Sequence, residues 1–152
     1  MVKTIQRLIE ICNERENGYR TATHYIQDPA IAEKFKNIAI QSKSFKGMLV
    51  AIVSSAKSDS EAHPLEDTFG DWMDFETDVT TSSTNELITF CESGEKKAIA
   101  AYEEALENMV TDSHIEVVQT QLLHIKNALE LLNDLKQNSA KEHANMAMKK
   151  QG

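Results

Sequence analysis

The sequence predicts an all-α protein, a bundle of four long helices. Only five glycines and two prolines occur among its 152 residues, which leaves few places for turns. Apolar residues recur at spacings of three and four in four separate stretches, as they do in helices that bury one face. From these stretches we predict helices over about residues 3–27, 29–56, 84–109 and 113–136.

The first two predicted helices form a hairpin. Asp28-Pro29 separates them, and proline cannot continue a helix but suits the first turn of the next one. The first apolar stripe consists of Ile5, Leu8, Ile9, Cys12, Tyr19, Ala22 and Ile26. The second consists of Ile31, Phe35, Ile38, Phe45, Met48, Leu49 and Ile52. So short a joint predicts that the two helices pack antiparallel.

A long crossover should follow the second helix. Between residues 57 and 83 the helical pattern stops, except for a short predicted helix around Trp72, Met73 and Phe75. A helix of about 27 residues is ~40 Å long, and a link of about the same number of residues can return along it. The third helix should therefore run parallel to the second. This is the ferritin-like arrangement, an antiparallel four-helix bundle with one long crossover.

The third and fourth helices have their own start signals. The hydroxyl groups of Ser82-Ser83-Thr84 can cap the third helix, and Asp112-Ser113 precedes the fourth. The third stripe consists of Leu87, Ile88, Cys91, Ala98, Ile99, Tyr102 and Leu106. The fourth consists of Val117, Val118, Leu122, Ile125, Ala128, Leu129, Leu132 and Leu135. Beyond it the stripe is lost, so we predict a bundle domain over 1–138 and a polar helical or frayed tail over 139–152.

The charge balance argues against two classes of partner. A formal net charge of -8 and a pI near 5.1 repel nucleic-acid phosphates and anionic lipid headgroups, so we expect neither nucleic acid nor membrane as a partner. Cys12 and Cys91 lie in apolar stripes, which predicts buried free thiols and a cytoplasmic protein. The Trp72 segment either covers its own bundle or forms the contact of a homo-oligomer.

The first and third helices resemble each other. Leu8-Ile9-x-x-Cys12-x-x-x-Glu16 matches Leu87-Ile88-x-x-Cys91-x-x-x-Glu95 at an offset of 79 residues. Two related hairpins would explain the match, and shared amphipathic patterning is the alternative.

Polar residues from all four helices are predicted to meet near the middle of the bundle. Glu16 and Glu95 each follow a cysteine of the apolar stripe by four residues. The second helix supplies Gln41 with Ser44, and the fourth supplies Gln121 with His124. A buried carboxylate is costly unless it is paired, so each glutamate needs a partner.

Several segments resemble a little-characterised bacterial family of ferritin-like bundle proteins of unknown function, distantly similar to ferritin and rubrerythrin. The segments are "LIEICNERENGYRTA", "QSKSF", "DWMDF" and "CESGEKKAIAAYEEAL", and the resemblance covers about residues 3–135. In ferritin and rubrerythrin, one helix of each hairpin gives a Glu and the other a Glu-x-x-His, and together these hold two metals. The resemblance places Glu16 and Glu95 at the single-Glu positions.

The remaining ligand positions have changed. Gln41-x-x-Ser44 and Gln121-x-x-His124 stand where the resemblance implies Glu-x-x-His, so three of six ligands remain. Iron and manganese need anionic oxygen ligands, and a neutral amide is a weak one. We therefore expect an absent or degenerate metal centre, with Gln41 and Gln121 in a metal-free polar core. The alternative is a single ion held by Glu16, Glu95 and His124.

No glycine-rich phosphate loop and no hydrolase or metalloprotease motif occurs in the sequence. We therefore expect a non-enzymatic protein without a cofactor, acting through protein association or in a stress-related role. The alternative is a divergent ferritin-like protein that binds iron or manganese for storage or redox chemistry.

Overall fold

Four helices form the protein in a computed structural model that describes residues 2–56 and 83–150. They are α1 (Val2–Tyr25), α2 (Pro29–Ala56), α3 (Thr84–Glu107) and α4 (Ile115–Lys150). All regular secondary structure within the described ranges is helical. The predicted all-α, four-helix class is confirmed. The short helix predicted around Trp72, Met73 and Phe75 lies outside the described residues.

Side-chain caps begin both α2 and α3, and the cap of α3 lies within the Ser82-Ser83-Thr84 cluster that the sequence predicts. Asp28 Oδ1 accepts a hydrogen bond from the backbone N–H of Ala30 at 2.9 Å, directly before α2. Ser83 Oγ accepts one from the backbone N–H of Glu86 at 3.2 Å, at the start of α3. These bonds satisfy amides that have no partner within the first turn of a helix.

The fourth helix is longer than the sequence pattern predicts. It comprises 36 residues, against 24 to 28 for the others, and continues to Lys150. No glycine or proline lies between Ile115 and Lys150 to end it. The loss of the apolar stripe after Leu135 therefore does not mark the end of the helix. No helix within the described ranges is long and apolar enough to cross a membrane.

Contacts between side chains define the helix directions. Between α1 and α2, Arg15 contacts Gln41 while Asn13 contacts Lys46, so residue numbers rise in one helix as they fall in the other. The two helices are therefore antiparallel.

The pairs α3–α4 and α1–α3 are antiparallel for the same reason. Lys126 pairs with Glu103 and Lys136 with Glu92 between α3 and α4. Between α1 and α3, Cys12 contacts Tyr102 and Arg15 contacts Glu95. Because α2 and α3 are both antiparallel to α1, they run in the same direction. Ala56 at the end of α2 and Ser83 before α3 therefore lie at opposite ends of the bundle, as the predicted crossover requires.

Two apolar clusters fill the bundle, one at each end. The cluster at the N-terminal end of α1 contains Ile5, Leu8, Ile9, Ile11, Cys12, Phe45, Leu49, Ile52, Ala98, Tyr102, Ala105, Met109, Val118, Leu122 and Ile125. The cluster at the opposite end contains Tyr19, Ala22, Ile26, Phe35, Ile38, Ala39, Leu87, Ile88, Cys91, Ala128 and Leu132. Buried polar residues of α1, α2 and α3 lie between them in sequence, at Arg15, Ser42 and Glu95.

A glycine in the middle of α2 offers a test of these helix assignments. Gly47 is exposed, and a Cβ atom added to it would meet nothing within 4 Å. We expect Gly47→Ala to raise the free energy of unfolding by about 0.5–1 kcal/mol, because alanine loses less backbone entropy in a helix. Urea titration followed by circular dichroism measures the change. Ala51→Gly, one turn further on the exposed side of α2, should lower stability by a similar amount; no change in either variant would contradict a helix here.

Candidate functional site

A fully buried ion pair joins α1 to α3 at mid-bundle. Arg15 and Glu95 both have 0% of their surface exposed. Arg15 Nε lies 2.6 Å from Glu95 Oε1, and Arg15 Nη2 lies 2.9 Å from Glu95 Oε2. Each carboxylate oxygen thus accepts one hydrogen bond in the two-pronged geometry that suits guanidinium and carboxylate.

Neighbours from two helices complete the surroundings of Arg15. Its Nη2 also donates to Gln41 Oε1 at 3.2 Å, and its guanidinium carbon lies 5.7 Å from the centroid of the Tyr19 ring. Burial would lower the pKa of Arg15, but the charge of Glu95 and its hydrogen bonds raise the pKa above its ordinary value. The guanidinium therefore stays charged inside the protein, with its charge balanced by Glu95.

A second hydrogen-bonded chain links all four helices. Cys12 Sγ of α1 lies 3.1 Å from Tyr102 OH of α3, and that hydroxyl donates to Gln121 Oε1 of α4 at 2.8 Å. Gln121 Nε2 donates to the backbone oxygen of Phe45 in α2 at 3.3 Å and lies 3.7 Å from Met48 Sδ. Because the single hydrogen of the Tyr102 hydroxyl goes to Gln121, the Cys12 thiol must be the donor to Tyr102.

The groups of this region are held in their neutral forms. Burial raises the pKa of the Cys12 thiol, and it raises that of the Cys91 thiol further. Burial, together with the nearby Cys12, raises the pKa of Tyr102. A thiol is a nucleophile only as thiolate, so neither cysteine is prepared for nucleophilic chemistry.

The residues predicted as metal ligands occupy three different surroundings. Glu95 belongs to the ion pair with Arg15. Glu16 is buried, with its Oε1 3.2 Å from Arg20 Nη2 one turn along the same helix. His124 is exposed, with its ring centroid 5.9 Å from that of Phe45.

Among the residues whose side chains are described, no three or more His, Cys, Asp or Glu side chains are grouped so that they could hold one metal ion. The structure therefore does not bring Glu16, Glu95 and His124 together. Binding of iron or manganese by these residues stays a prediction.

Gln121 is buried, Gln41 is half-buried and Ser44 is exposed. Gln41 contacts Arg15, and Gln121 contacts Tyr102 and the Phe45 backbone. Arg15 already occupies both oxygens of Glu95.

Arg15 is the central residue that the sequence pattern did not identify. It follows Cys12 by three residues and precedes Tyr19 by four, so its spacing places it on the buried stripe of α1. The requirement that Glu95 have a partner also called for a buried cation. The offset of 79 residues aligns Glu16 with Glu95 but aligns Arg15 with Gly94, so α3 has no cation at the position that matches Arg15.

A family model described as "Domain of unknown function (DUF2383)" matches residues 1–108. The chain belongs to this family. The match contains α1, α2 and α3, and therefore both members of the Arg15–Glu95 pair, whereas Gln121 lies beyond it. No curated protein and no solved structure is significantly similar to the chain.

Removal of the buried cation should be costly. We expect Arg15→Met to lower the free energy of unfolding by about 3–5 kcal/mol, because it leaves Glu95 buried without a partner. The double variant Arg15→Met/Glu95→Leu should recover most of that loss. Denaturant titration measures both. As a control, Arg7→Met breaks the exposed pair with Glu10 and should lower the free energy of unfolding by about 0.5 kcal/mol or less. Equal losses of unfolding free energy for Arg15→Met and Arg7→Met would contradict a structural role for the buried pair.

The two thiols should react slowly in the folded protein. Burial keeps Cys12 and Cys91 protonated and inaccessible, so we expect labelling by a thiol reagent at mildly alkaline pH to be at least ~100-fold slower than in the urea-unfolded chain. Absorbance of the released chromophore measures the rate. Reaction of either thiol at the unfolded rate under native conditions would show that this part of the core is open.

Proposed function

We propose that this chain is a non-enzymatic bundle protein of ferritin-like descent, in which a buried arginine has replaced the metal centre. The supporting observation is the position of Arg15, whose guanidinium donates to both oxygens of Glu95. Glu95 is one of the two acids that the ferritin-like pattern would use as metal ligands. The parallel course of α2 and α3 also supports this descent, since ferritin-like bundles share it.

The charge at this position disfavours a metal ion. A cation bound to Glu95 would have to displace Arg15 and would leave a guanidinium buried without its counter-charge. The amides add no negative charge, and Gln41 and Gln121 already accept hydrogen bonds from Arg15 and Tyr102. The polar interior thus satisfies its own charges and most of its hydrogen bonds.

We further propose that the protein acts by associating with other proteins, in the cytoplasm and in a stress-related role. Ion pairs and hydrogen bonds between helices engage the buried side chains of Arg15, Glu95, Tyr102 and Gln121. On the surface, the apolar side chains of Ile40, Val110 and Leu123 are exposed on different helices or turns. The two free buried thiols suit a reducing compartment.

Metal analysis tests the proposal directly. Protein purified without chelators, from cells supplied with iron and manganese, should contain far less than one ion of either per chain when measured by mass spectrometry of the digested sample. The rival function, iron or manganese binding for storage or redox chemistry, requires an ion held by Glu16, Glu95 and His124.

Two histidine variants separate a specific site from chance binding. His124→Ala removes a predicted ligand, whereas His114→Ala, at a half-buried position before α4, does not. We expect the same low metal content in both variants and in the unchanged protein. About one ion per chain, lost in His124→Ala and retained in His114→Ala, would overturn the proposal and support the rival.

A further inference from the structure

Met48 is a half-exposed residue whose sulfur contacts a buried hydrogen-bond donor. Its side chain is 52% exposed on α2, and its Sδ lies 3.7 Å from Gln121 Nε2 of α4. Gln121 is only 1% exposed. Met109, the other methionine whose side chain the structure describes, is also 1% exposed. The two methionines therefore differ in access to solvent, and Met48 alone of the two faces a side-chain amide.

The orientation of Gln121 is fixed by its other partners. Its Oε1 accepts from the Tyr102 hydroxyl, and one hydrogen of Nε2 is directed to the backbone oxygen of Phe45. The second hydrogen of Nε2 is directed to the sulfur of Met48. A thioether sulfur is a weak acceptor, so this amide hydrogen is only partly satisfied in the reduced protein.

We propose that Met48 is a reversible oxidation site for peroxides, and that Gln121 donates a hydrogen bond to the sulfoxide oxygen formed there. A sulfur lone pair of Met48 attacks one oxygen of hydrogen peroxide, forming the S–O bond as the O–O bond breaks. The sulfur is oxidised by two electrons. The peroxide is reduced to one water molecule, which takes both hydrogens.

The position of Gln121 decides what the modification does. A sulfoxide is polar and usually disrupts an apolar contact. Beside Gln121 it instead supplies a strong acceptor for a donor that has only a weak one. Oxidation therefore replaces a weak hydrogen bond between α2 and α4 by a stronger one and leaves the Tyr102–Gln121 contact unchanged. This inference does not depend on the proposed function, because it holds whether or not the bundle binds metal.

Selective oxidation is the first test. The full chain is treated with hydrogen peroxide under native conditions, and the sulfoxide at each methionine is quantified by peptide mass spectrometry. We expect Met48 to oxidise at least ~10-fold faster than Met109, and methionine sulfoxide reductases to restore it. Equal rates at the two positions, or a product at Met48 that the reductases leave unchanged, would overturn the proposal.

The role of Gln121 needs a separate measurement. Met48→Gln places a carbonyl oxygen near the position of the sulfoxide oxygen, whereas Met48→Leu removes the acceptor. We expect the Tm of Met48→Gln to exceed that of Met48→Leu by about 2–4 °C, as one added hydrogen bond would give in a chain of this size. The difference should vanish when Gln121→Leu is present in both. A Tm for Met48→Gln equal to or below that of Met48→Leu would overturn the assigned role of Gln121. Comparison of the Tm of the isolated sulfoxide form with that of the reduced form checks the result without any substitution.

Discussion

The bundle depends on the pairing of two full charges that water cannot reach. Arg15 and Glu95 balance each other across the interface of α1 and α3, and each would be costly to bury alone. The pairing also fixes register. A shift of one residue along either helix would turn a side chain by about 100° and separate the charges. The apolar clusters at the two ends supply burial free energy, but similar apolar side chains tolerate small displacements more easily. The ion pair is therefore the contact that best specifies how α1 lies against α3.

The hydrogen-bonded chain from Cys12 through Tyr102 to Gln121 also helps to fix how the helices lie against one another, and it involves all four of them. Each member has a defined donor or acceptor role, because the Tyr102 hydroxyl has one hydrogen and the Gln121 amide is oriented by the Phe45 backbone. A buried polar chain of this kind favours one arrangement over its neighbours, since any other leaves a donor or an acceptor unsatisfied. Only Met48, at the end of the chain, reaches solvent. Met48 is therefore the residue through which this hydrogen-bonded network is joined to the protein surface.

The apolar spacing was sufficient to predict the helices and to place Glu95, Gln41 and Gln121 on the faces that turn inward, where Glu95 and Gln121 are buried and Gln41 is half-buried. The cost of buried charge added only that Glu95 needs a partner. Spacing could not distinguish residues in the bundle core from residues at the edge of a buried helix face. His124 follows Gln121 by three residues and lies on the same side of α4, yet it is exposed. This side faces α2 and lies at the margin of the buried face of α4. Residue type hides the role of Arg15. Its spacing places it on the buried stripe of α1, but arginine is seldom fully buried, so the residue type favours the surface unless a buried acid is known to lie opposite. Which acid a given cation reaches depends on side-chain conformation, and helical period carries no information about that.

The two glutamates that match at the offset of 79 residues both pair with arginines of α1. Arg15 reaches Glu95 across the interface with α3, and Arg20 reaches Glu16 along the same helix. At the position that matches Arg15, α3 has Gly94, so no cation there can pair with Glu16, which contacts the more exposed Arg20 one turn away. The two acids therefore form two unequal ion pairs, one fully buried between helices and one within α1. Because each carboxylate is already compensated by a cation of the chain itself, an added metal ion would gain little from either acid unless an arginine first moved away.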